Sequence, residues 1–236
     1  MKPRIFQPLD ASAHPPYSSP SYRSTEHRAP LRPLVPIPEG LGELTAPLYG
    51  HEAVRPADAD LTTNASTGGV ALGERIIVSG RVLDGAGRAV PNTLVEVWQC
   101  NAAGRYPHVR DVHDAPLDPN FLGAGRVLTD ADGRYQFTTI KPGAYPWGNS
   151  DNAWRPAHIH FSLFGSAFLQ RLVTQMYFPG DPLLELDGIF MSVPDAAARA
   201  RLVARFDAEV TRAHYALGYR FDIVLRGPSD TPMESS

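Results

Sequence analysis

The chain has 236 residues, a net charge of −3 and a single cysteine. Its 20 glycines and 23 prolines make up less than a fifth of the residues, which is below the share typical of disordered chains. These values exclude an internal disulfide framework and a basic surface for nucleic acid, and they allow one large all-β domain that is rich in turns.

No targeting or membrane segment is recognisable in the sequence. The start of the chain lacks the apolar run of a signal peptide, and no uninterrupted apolar stretch reaches the roughly 18 residues that would suggest a membrane span. A single cysteine also fits a reducing compartment. We therefore expect a cytoplasmic protein that does not enter the membrane.

Residues 1–70 are predicted to form a long, extended N-terminal arm. Its proline-rich runs at 14–17 and 32–38 are incompatible with a regular helix or a central strand. Leu, Val, Ile and Tyr are nevertheless spread through it, which is unlike a solvated linker. We favour an arm that packs on the body of the protein or on a partner subunit over a flexible tail.

Residues 71–236 are predicted to form an antiparallel β-sandwich with one or two short helices. The segments rich in β-branched and aromatic residues are separated by turn residues, which is typical of a sandwich. The predicted strands are 75–83, 93–99, 126–129, 134–140, 158–163, 170–178 and 219–226.

One segment, 194–210, has the periodicity of a helix instead. Ala198, Leu202, Phe206 and Val210 recur at steps of four residues, so they would form one apolar face of a helix. We expect an amphipathic helix over the whole segment.

The densest chemistry of the sequence lies at 155–161. If this segment is a strand, His158 and His160 share one face, and Ile159 and Phe161 point to the other. Two imidazoles side by side on a strand can supply two ligands of a metal site. The pair alone fits two hydrogen-bonded histidines in an ordinary strand about equally well.

Two tyrosines in turns, Tyr106 and Tyr145, would complete such a site. Each precedes a proline, a context in which Tyr is usually a hydrogen-bonded surface residue. A phenol has a pKa of about 10, so only a strongly Lewis-acidic ion would hold it as phenolate near neutral pH. Two Tyr and two His therefore favour Fe(III) over Zn, Mg or Ca, and the sole Cys100 cannot build a thiolate site.

Several separate blocks of the chain resemble the intradiol aromatic-ring dioxygenases, in that family's order and spacing. The resemblance covers most of the chain. The matching blocks are 73–84, 91–99, 101–106, 116–121, 142–161 and 219–227.

The resemblance implies a non-haem Fe(III) site. Its four protein ligands would be Tyr106, Tyr145, His158 and His160. In the family, one of the two tyrosines, here Tyr145, leaves the metal and accepts a proton from the catechol. The resemblance thus makes Tyr145 both a ligand and a general base.

The resemblance also implies roles for residues around the metal. Arg155 matches an arginine beside the substrate ring, where its charge can stabilise developing anionic character. Gln175 matches a polar residue that orients groups near the iron. Tyr22 matches an arm residue at the mouth of the active site, and Trp147 and Ile189 match residues that line the substrate pocket.

Within the family, the Tyr22 arm and the flanking blocks favour the protocatechuate branch. That branch cleaves 3,4-dihydroxybenzoate with O2 to 3-carboxy-cis,cis-muconate in the β-ketoadipate pathway of aromatic catabolism. It pairs an iron-bearing beta chain with a related alpha chain that lacks the iron ligands. All four ligands are present here, so we expect a beta chain in a hetero-oligomer of alpha–beta pairs.

Two other functions remain open. Catechol and hydroxyquinol 1,2-dioxygenases share the same four ligands, so the ligands do not fix the substituent on the ring. The second open function is that of a non-enzymatic β-sandwich binding module. Residues 80–91 suggest it, because they also resemble generic transthyretin-like adhesion repeats.

The remaining histidines suggest a third alternative. The loop before the third strand could supply a 2-His-1-carboxylate iron(II) site, as used by extradiol oxygenases. Its candidate ligands are His108, Asp111, His113, Asp114 and Asp118. The other histidines are isolated and are interpreted as surface residues: His14, His27, His51 and His214.

Overall fold

The computed structural model describes residues 11–33, 35, 50–65, 68–165 and 172–234. Much of the predicted arm and the first two residues of the predicted strand 170–178 lie outside these ranges. None of the helices in the described part of the chain has the length and apolar character needed to cross a membrane.

Short strands dominate the described residues, which also contain three short α-helices, one before the first strand and two between the eighth and ninth strands. The strands are β1 (Arg75–Leu83), β2 (Leu94–Trp98), β3 (Ala124–Leu128), β4 (Arg134–Ile140), β5 (Tyr145–Pro146), β6 (Trp154–Arg155), β7 (His158–Phe164), β8 (Leu172–Tyr177), β9 (Arg205–Phe206), β10 (Leu217–Arg220) and β11 (Ile223–Val224). The α-helices are α1 (Thr25–Arg28), α2 (Gly188–Met191) and α3 (Ala196–Arg201). Single 3-10 turns are found at Ala11–Ala13, His51–Ala53, Pro56–Ala59 and Leu184–Leu186.

Two sheets form the sandwich. One has the order β11-β1-β10-β9, with β4 also paired to β1, and the other has the order β3-β2-β7-β8. Strands β5 and β6 form a separate two-stranded ribbon. Strand β1 runs parallel to β10 and β11, and its pairing with β4 is antiparallel. The predicted β-sandwich is confirmed, and the two parallel pairs are an addition to the predicted antiparallel pattern.

Phe161 of β7 joins the two sheets at the centre of the core. Its ring centroid lies 6.0 Å from those of Tyr135 and Phe137 on β4. It also lies 5.2 Å from the ring centroid of Phe221, just beyond β10. Burying one such aromatic side chain contributes about 1.5–3 kcal/mol, so this cluster fixes which face of β7 points inward.

The inward face of β7 determines where its histidines lie. Ile159, Phe161 and Leu163 have no exposed surface, and a slip of the register by one residue would turn all three toward the outside. His158 and His160 alternate with them, so they share a face, as the sequence pattern predicted, and this is the outer face of the sheet.

Two predicted strands, 75–83 and 134–140, have the predicted bounds as β1 and β4. The predicted strand 219–226 is instead divided into β10 and β11. Asp222 causes the break, because its Oδ1 accepts the Arg81 N–H at 2.9 Å. A side chain thus replaces a backbone carbonyl at that point of the ladder.

The predicted helix over 194–210 was wrong in length, since α3 ends at Arg201. The Tyr177 N–H donates to the Leu202 carbonyl at 2.8 Å, which ties the chain to the end of β8. Phe206 consequently lies on β9 with 55% of its surface exposed. Tertiary pairing overrides the helical periodicity here.

The described part of the predicted arm packs on the sandwich. Leu61 is fully buried in the main core, and its N–H donates to the Thr138 carbonyl at 2.9 Å. Tyr22 is 8% exposed and packs edge-on against Trp147, with ring centroids 5.1 Å apart. Arg28 of α1 lies over the Tyr22 ring at 4.7 Å. The division of the chain at residue 70 stays a prediction.

The interpretation of His14 as a surface residue was wrong. Its Nε2 lies 3.0 Å from Asp230 Oδ2, and its Nδ1 accepts the Met233 N–H at 3.1 Å. A nitrogen that accepts an N–H carries no proton, so Nε2 carries the proton and donates to Asp230. His14 therefore connects the N-terminal segment to the C-terminal segment.

Candidate metal centre

The outer face of the four-stranded sheet forms the floor of the candidate site. The register pairs His160 with Trp98 on β2 and with Gln175 on β8, while His158 pairs with Tyr177. The Trp98 indole stacks on the His160 imidazole with centroids 4.7 Å apart and planes 3° apart. Both imidazoles are therefore held by rigid neighbouring strands.

Hydrogen bonds determine which nitrogen of each imidazole is available to a metal. His158 Nδ1 lies 2.7 Å from the Pro156 carbonyl, which can only accept, so Nδ1 carries the proton. His160 Nδ1 lies 3.3 Å from Glu234 Oε2. Nε2 is left as the ligand atom in both rings.

Protonation of the histidines would compete with a metal. Burial lowers the pKa of His158 far below its ordinary value, and the charges of Arg155 and His160 lower it further. The imidazole of His158 is therefore neutral near neutral pH. A neutral imidazole is the form that binds a metal.

A loop and the β5–β6 ribbon bring the two tyrosines close to the histidines. Tyr145 lies on β5, which pairs with β6 next to the start of β7, and its hydroxyl is 3.4 Å from His158 Nε2. The ring of Tyr106 packs edge-on against Tyr145 with centroids 5.6 Å apart. The structure thus brings together all four residues that the resemblance named: Tyr106, Tyr145, His158 and His160.

The loop that carries Tyr106 rests directly on the segment before Tyr145. Gly104 has φ +80°, and a Cβ built on it would lie 2.2 Å from the Ala144 carbonyl oxygen. Asn101 Oδ1 accepts the N–H groups of Ala103 and Arg105 at 2.9 Å and so shapes the same turn. Only glycine permits this close approach.

We expect Gly104→Ala to lower both stability and metal binding. The left-handed backbone alone typically costs about 1–3 kcal/mol, and the clash with Ala144 adds to it by separating the two tyrosines. Gly180→Ala is the matched control, because Gly180 has φ +75° and nothing within 4 Å of its Cβ position. Chemical denaturation and bound iron per chain would be measured, and equal effects of the two changes would contradict the role given to the close approach.

The electrostatics of the phenols fit a cationic ligand. The Tyr106 hydroxyl is buried and forms no hydrogen bond of good geometry with the described residues, and the Tyr145 hydroxyl is its polar neighbour. Burial raises the pKa of Tyr106 well above its ordinary value, and the nearby Tyr145 raises it further. Burial likewise raises the pKa of Tyr145. The protein alone keeps both phenols neutral, so a strong Lewis acid is what would ionise them.

Arg155 lies at the centre of a buried polar network beside the histidines. Its side chain is 3% exposed, and its Nε is 2.9 Å from Oδ1 of the fully buried Asp187. Its Nη2 donates to Gln175 Oε1 at 2.6 Å and to Asp187 Oδ2 at 3.0 Å. The Tyr177 hydroxyl also donates to Gln175 Oε1, at 2.9 Å. Arg155 and Gln175, both named by the resemblance, are thus in direct contact.

The three predicted pocket residues lie around this network. The Arg155 guanidinium lies over the Trp147 ring, 5.4 Å from its centroid, and Trp147 also packs edge-on against Tyr22. Ile189 is 7% exposed on α2, whose N-cap is Asp187. Tyr22 and Trp147 are brought together. Ile189 lies in the same region because its helix, α2, begins at Asp187, the ion-pair partner of Arg155.

Sequence reasoning missed three residues of the site: Trp98, Asp187 and Glu234. Burial raises the pKa of Glu234, but the hydrogen bond to His160 and the charge of Arg155 outweigh it, and the net pKa is lowered. A local signal existed only for Asp187, since an aspartate before Gly-Ile-Phe is a possible helix N-cap.

The alternative site in the loop is not assembled. Asp111 accepts the backbone N–H groups of Tyr106 and His113 at 2.7 and 2.9 Å, and His113 packs edge-on against Trp154. Across the described ranges, no group of three or more His, Cys, Asp or Glu side chains could hold a metal ion. Asp111 shapes the Tyr106 turn instead.

Family models and individual known proteins both match this chain. The family model described as "Dioxygenase" matches residues 44–227, and the one described as "Protocatechuate 3,4-dioxygenase beta subunit N terminal" matches residues 8–39. The protocatechuate 3,4-dioxygenase beta chain of Burkholderia cepacia is 63% identical, over 98% of each chain. The alpha chain from the same organism is 32% identical, over 67% of this chain and 76% of that one.

A solved structure has a related fold. The dioxygenase domain of a dioxygenase carbohydrate-binding protein fusion from Streptomyces sp. SirexAA-E has a TM-score of 0.51 at 28% identity. The match covers 72% of this chain and 87% of that chain. Most of the described sandwich is therefore shared with that domain.

Proposed function

The chain belongs to the intradiol ring-cleavage dioxygenase family, and on that premise we propose that it cleaves 3,4-dihydroxybenzoate (protocatechuate) with O2 to 3-carboxy-cis,cis-muconate. The high identity to a protocatechuate 3,4-dioxygenase beta chain over nearly the whole length supports this substrate. The observation that carries the chemistry is the convergence of two phenols and two imidazoles on one side of the sheet.

We propose that Tyr106, Tyr145, His158 and His160 hold non-haem Fe(III). The buried Tyr106 hydroxyl and the orientation of both imidazoles support this assignment. Bound there, Fe(III) would supply the Lewis acidity that ionises the phenols and the electron-accepting capacity that activates a chelated catechol toward O2.

Tyr145 is proposed as the general base for the substrate. Its phenolate oxygen would accept a proton from one catechol hydroxyl as the substrate binds. Two features support a side chain that can change partners. The residue lies on the two-residue strand β5, and the contact of its hydroxyl with His158 Nε2 is long, at 3.4 Å.

Arg155 is proposed to stabilise anionic character on the substrate ring. Burial alone would lower the pKa of Arg155, but Tyr177 and Asp187 outweigh it, so the pKa is raised and the guanidinium stays charged. A fixed charge in a water-poor site acts strongly on charge that develops during the reaction. Gln175 would hold the guanidinium in place through its Oε1.

The substrate would bind beside the Arg155 network. We propose that Tyr22, Trp147 and Ile189 line its pocket. The contacts of Trp147 with Tyr22 and with Arg155 link the arm, residues 1–70, to the catalytic sandwich, residues 71–236. This contact would let the arm take part in substrate selection.

An alpha chain of the same enzyme is the proposed partner in a hetero-oligomer. Similarity to both the beta and the alpha chain of one organism supports it. Val109 and Val112 are 93% and 88% exposed, and Val112 lines an open cleft of about 590 Å³ next to Trp147. Apolar side chains this exposed beside a site are typical of an interface.

We also propose that the enzyme acts in the cytoplasm. Its one thiol, Cys100, is free and buried, and burial raises its pKa to about 12. A free, unreactive thiol suits a reducing compartment.

The visible spectrum of the chain purified with its alpha partner tests the proposal. We expect a tyrosinate-to-Fe(III) charge-transfer band that shifts when 3,4-dihydroxybenzoate is added without oxygen, followed by oxygen uptake once air is admitted. Catechol is the comparison substrate, and a higher kcat/KM for catechol would move the function to the catechol branch. A protein that stays colourless when Fe(III) is supplied would contradict the four-ligand assignment.

A further inference from the structure

The C-terminal segment 230–234 is fixed at its start by two other parts of the chain. Asp230 is fully buried, and its carboxylate accepts the His14 Nε2–H at 3.0 Å. Its carbonyl accepts the Arg201 Nε–H at 2.7 Å. The segment is therefore anchored from the N-terminal side and from the end of α3.

The same segment then bridges the two sheets. The Thr231 N–H donates to the Val224 carbonyl on β11 at 2.8 Å. The Thr174 hydroxyl of β8 donates to the Pro232 carbonyl at 2.7 Å, and the Glu234 N–H donates to the Val173 carbonyl at 2.8 Å. Glu234 thus adds to the edge of the sheet that carries the histidines.

This path brings the Glu234 carboxylate to His160. Oε2 lies 3.3 Å from His160 Nδ1, and the two side chains are 17% and 12% exposed. On the far side the imidazole is stacked on Trp98. The imidazole is thus held by the Trp98 indole on its face and by the Glu234 carboxylate at Nδ1. Neither contact occupies Nε2.

The two histidines of the site differ in their partners. His158 Nδ1 donates to a neutral carbonyl, that of Pro156, whereas His160 Nδ1 faces a carboxylate. A carboxylate behind a metal-binding imidazole fixes its tautomer and raises its basicity, and loss of such a partner typically weakens metal binding about 10–100-fold.

We propose that the segment 230–234 is a structural part of the metal centre, with Glu234 as the positioning residue for His160. This inference rests on the proposed iron site and adds to it a residue outside the four ligands. The competing explanation is a part-buried contact between Glu234 and His160 that has no bearing on the metal.

The test compares Glu234→Ala and Glu234→Gln with the wild type, each as the full chain co-produced with its alpha partner. The measurements are iron per chain, the rate of iron loss to an excess of chelator, and the position of the tyrosinate-to-iron band. We expect Glu234→Ala to lose iron about 10–100-fold faster. Glu234→Gln, which keeps an acceptor oxygen but no charge, should show an intermediate rate and a shifted band.

Glu209→Gln is the matched control, because Glu209 is an exposed residue between β9 and β10 on the other sheet. It should leave both the rate and the band unchanged. If Glu234→Ala fails to fold, the near-isosteric Glu234→Gln decides the outcome. Wild-type rates and spectra in both Glu234 variants would overturn this inference alone. A wild-type protein without iron would overturn the proposed function and this inference together.

His14→Ala tests the anchor at the other end of the segment. His14 does not touch the site residues but fixes Asp230 and Met233. We expect His14→Ala to lose iron faster than the wild type but more slowly than Glu234→Ala. An unchanged rate in a folded His14→Ala protein would overturn the role of the segment as a whole.

Discussion

Replacing Tyr106 with Phe is expected to abolish ring cleavage while leaving the metal-free protein at least as stable as the wild type. The hydroxyl is the proposed ligand atom, so its removal takes one anionic donor from the iron and ends the reaction. In the metal-free protein, the same hydroxyl is buried without a hydrogen bond of good geometry among the described residues. Removing an unsatisfied buried polar group can raise stability by on the order of 1 kcal/mol.

Tyr135→Phe is the matched control for this change. The Tyr135 hydroxyl is equally buried but donates to the Phe221 carbonyl. Its loss should destabilise the protein by about 1–3 kcal/mol, because it leaves a buried carbonyl short of a partner, while iron binding is kept. Denaturation of the metal-free proteins and the charge-transfer band would be measured. A Tyr106→Phe protein that keeps the wild-type band and oxygen uptake would refute the assignment of Tyr106.

Replacing Asp187 with Ala is expected to destabilise the protein by about 3–5 kcal/mol, the typical effect of removing one partner from a buried ion pair. The carboxylate is fully buried against Arg155 and also caps α2 by accepting the Ile189 and Phe190 N–H groups. Its loss leaves the guanidinium buried and uncompensated. We expect kcat to fall sharply as well, because Arg155 and the helix carrying Ile189 lose their common anchor.

Urea denaturation and steady-state kinetics would measure the effect of Asp187→Ala, with Asp187→Asn to separate the charge from the helix cap. Asp132→Ala is the control, because its pair with Arg134 is exposed, at 64% and 62%. Exposed pairs contribute about 0–1 kcal/mol. If Asp187→Ala destabilised the protein no more than Asp132→Ala, the buried pair would not be a main support of the site.

The strands could be predicted where local pattern and tertiary pairing agree. Strand β1 has a buried run at residues 76–78 and then alternates, strand β4 alternates over its first half, and the two strands pair along their length. The apolar pattern therefore predicted their bounds. The helix over 194–210 failed because the Tyr177–Leu202 hydrogen bond ends it, and no feature of the segment itself signals that contact.

Part of the candidate site could also be predicted from the sequence. The four proposed ligands and Arg155 lie in recognisable blocks, and the structure brings them together. Glu234 and Asp187 could not be found in this way. Glu234 is 74 residues from His160 in the chain, and Asp187 is 32 residues from Arg155. Contacts at such separations depend on the whole fold and leave no pattern in a single segment.

The parallel pairing of β1 with β10 and β11 has a consequence for synthesis on the ribosome. Arg81 and Asp222, which meet at this junction, are 141 residues apart. During translation β1 has an unpaired edge until β10 and β11 have emerged, and such late, long-range pairing slows folding and prolongs exposure to aggregation. Nascent chains should therefore depend on chaperones, and the proposed iron should be acquired only after β10 and β11 have paired with β1.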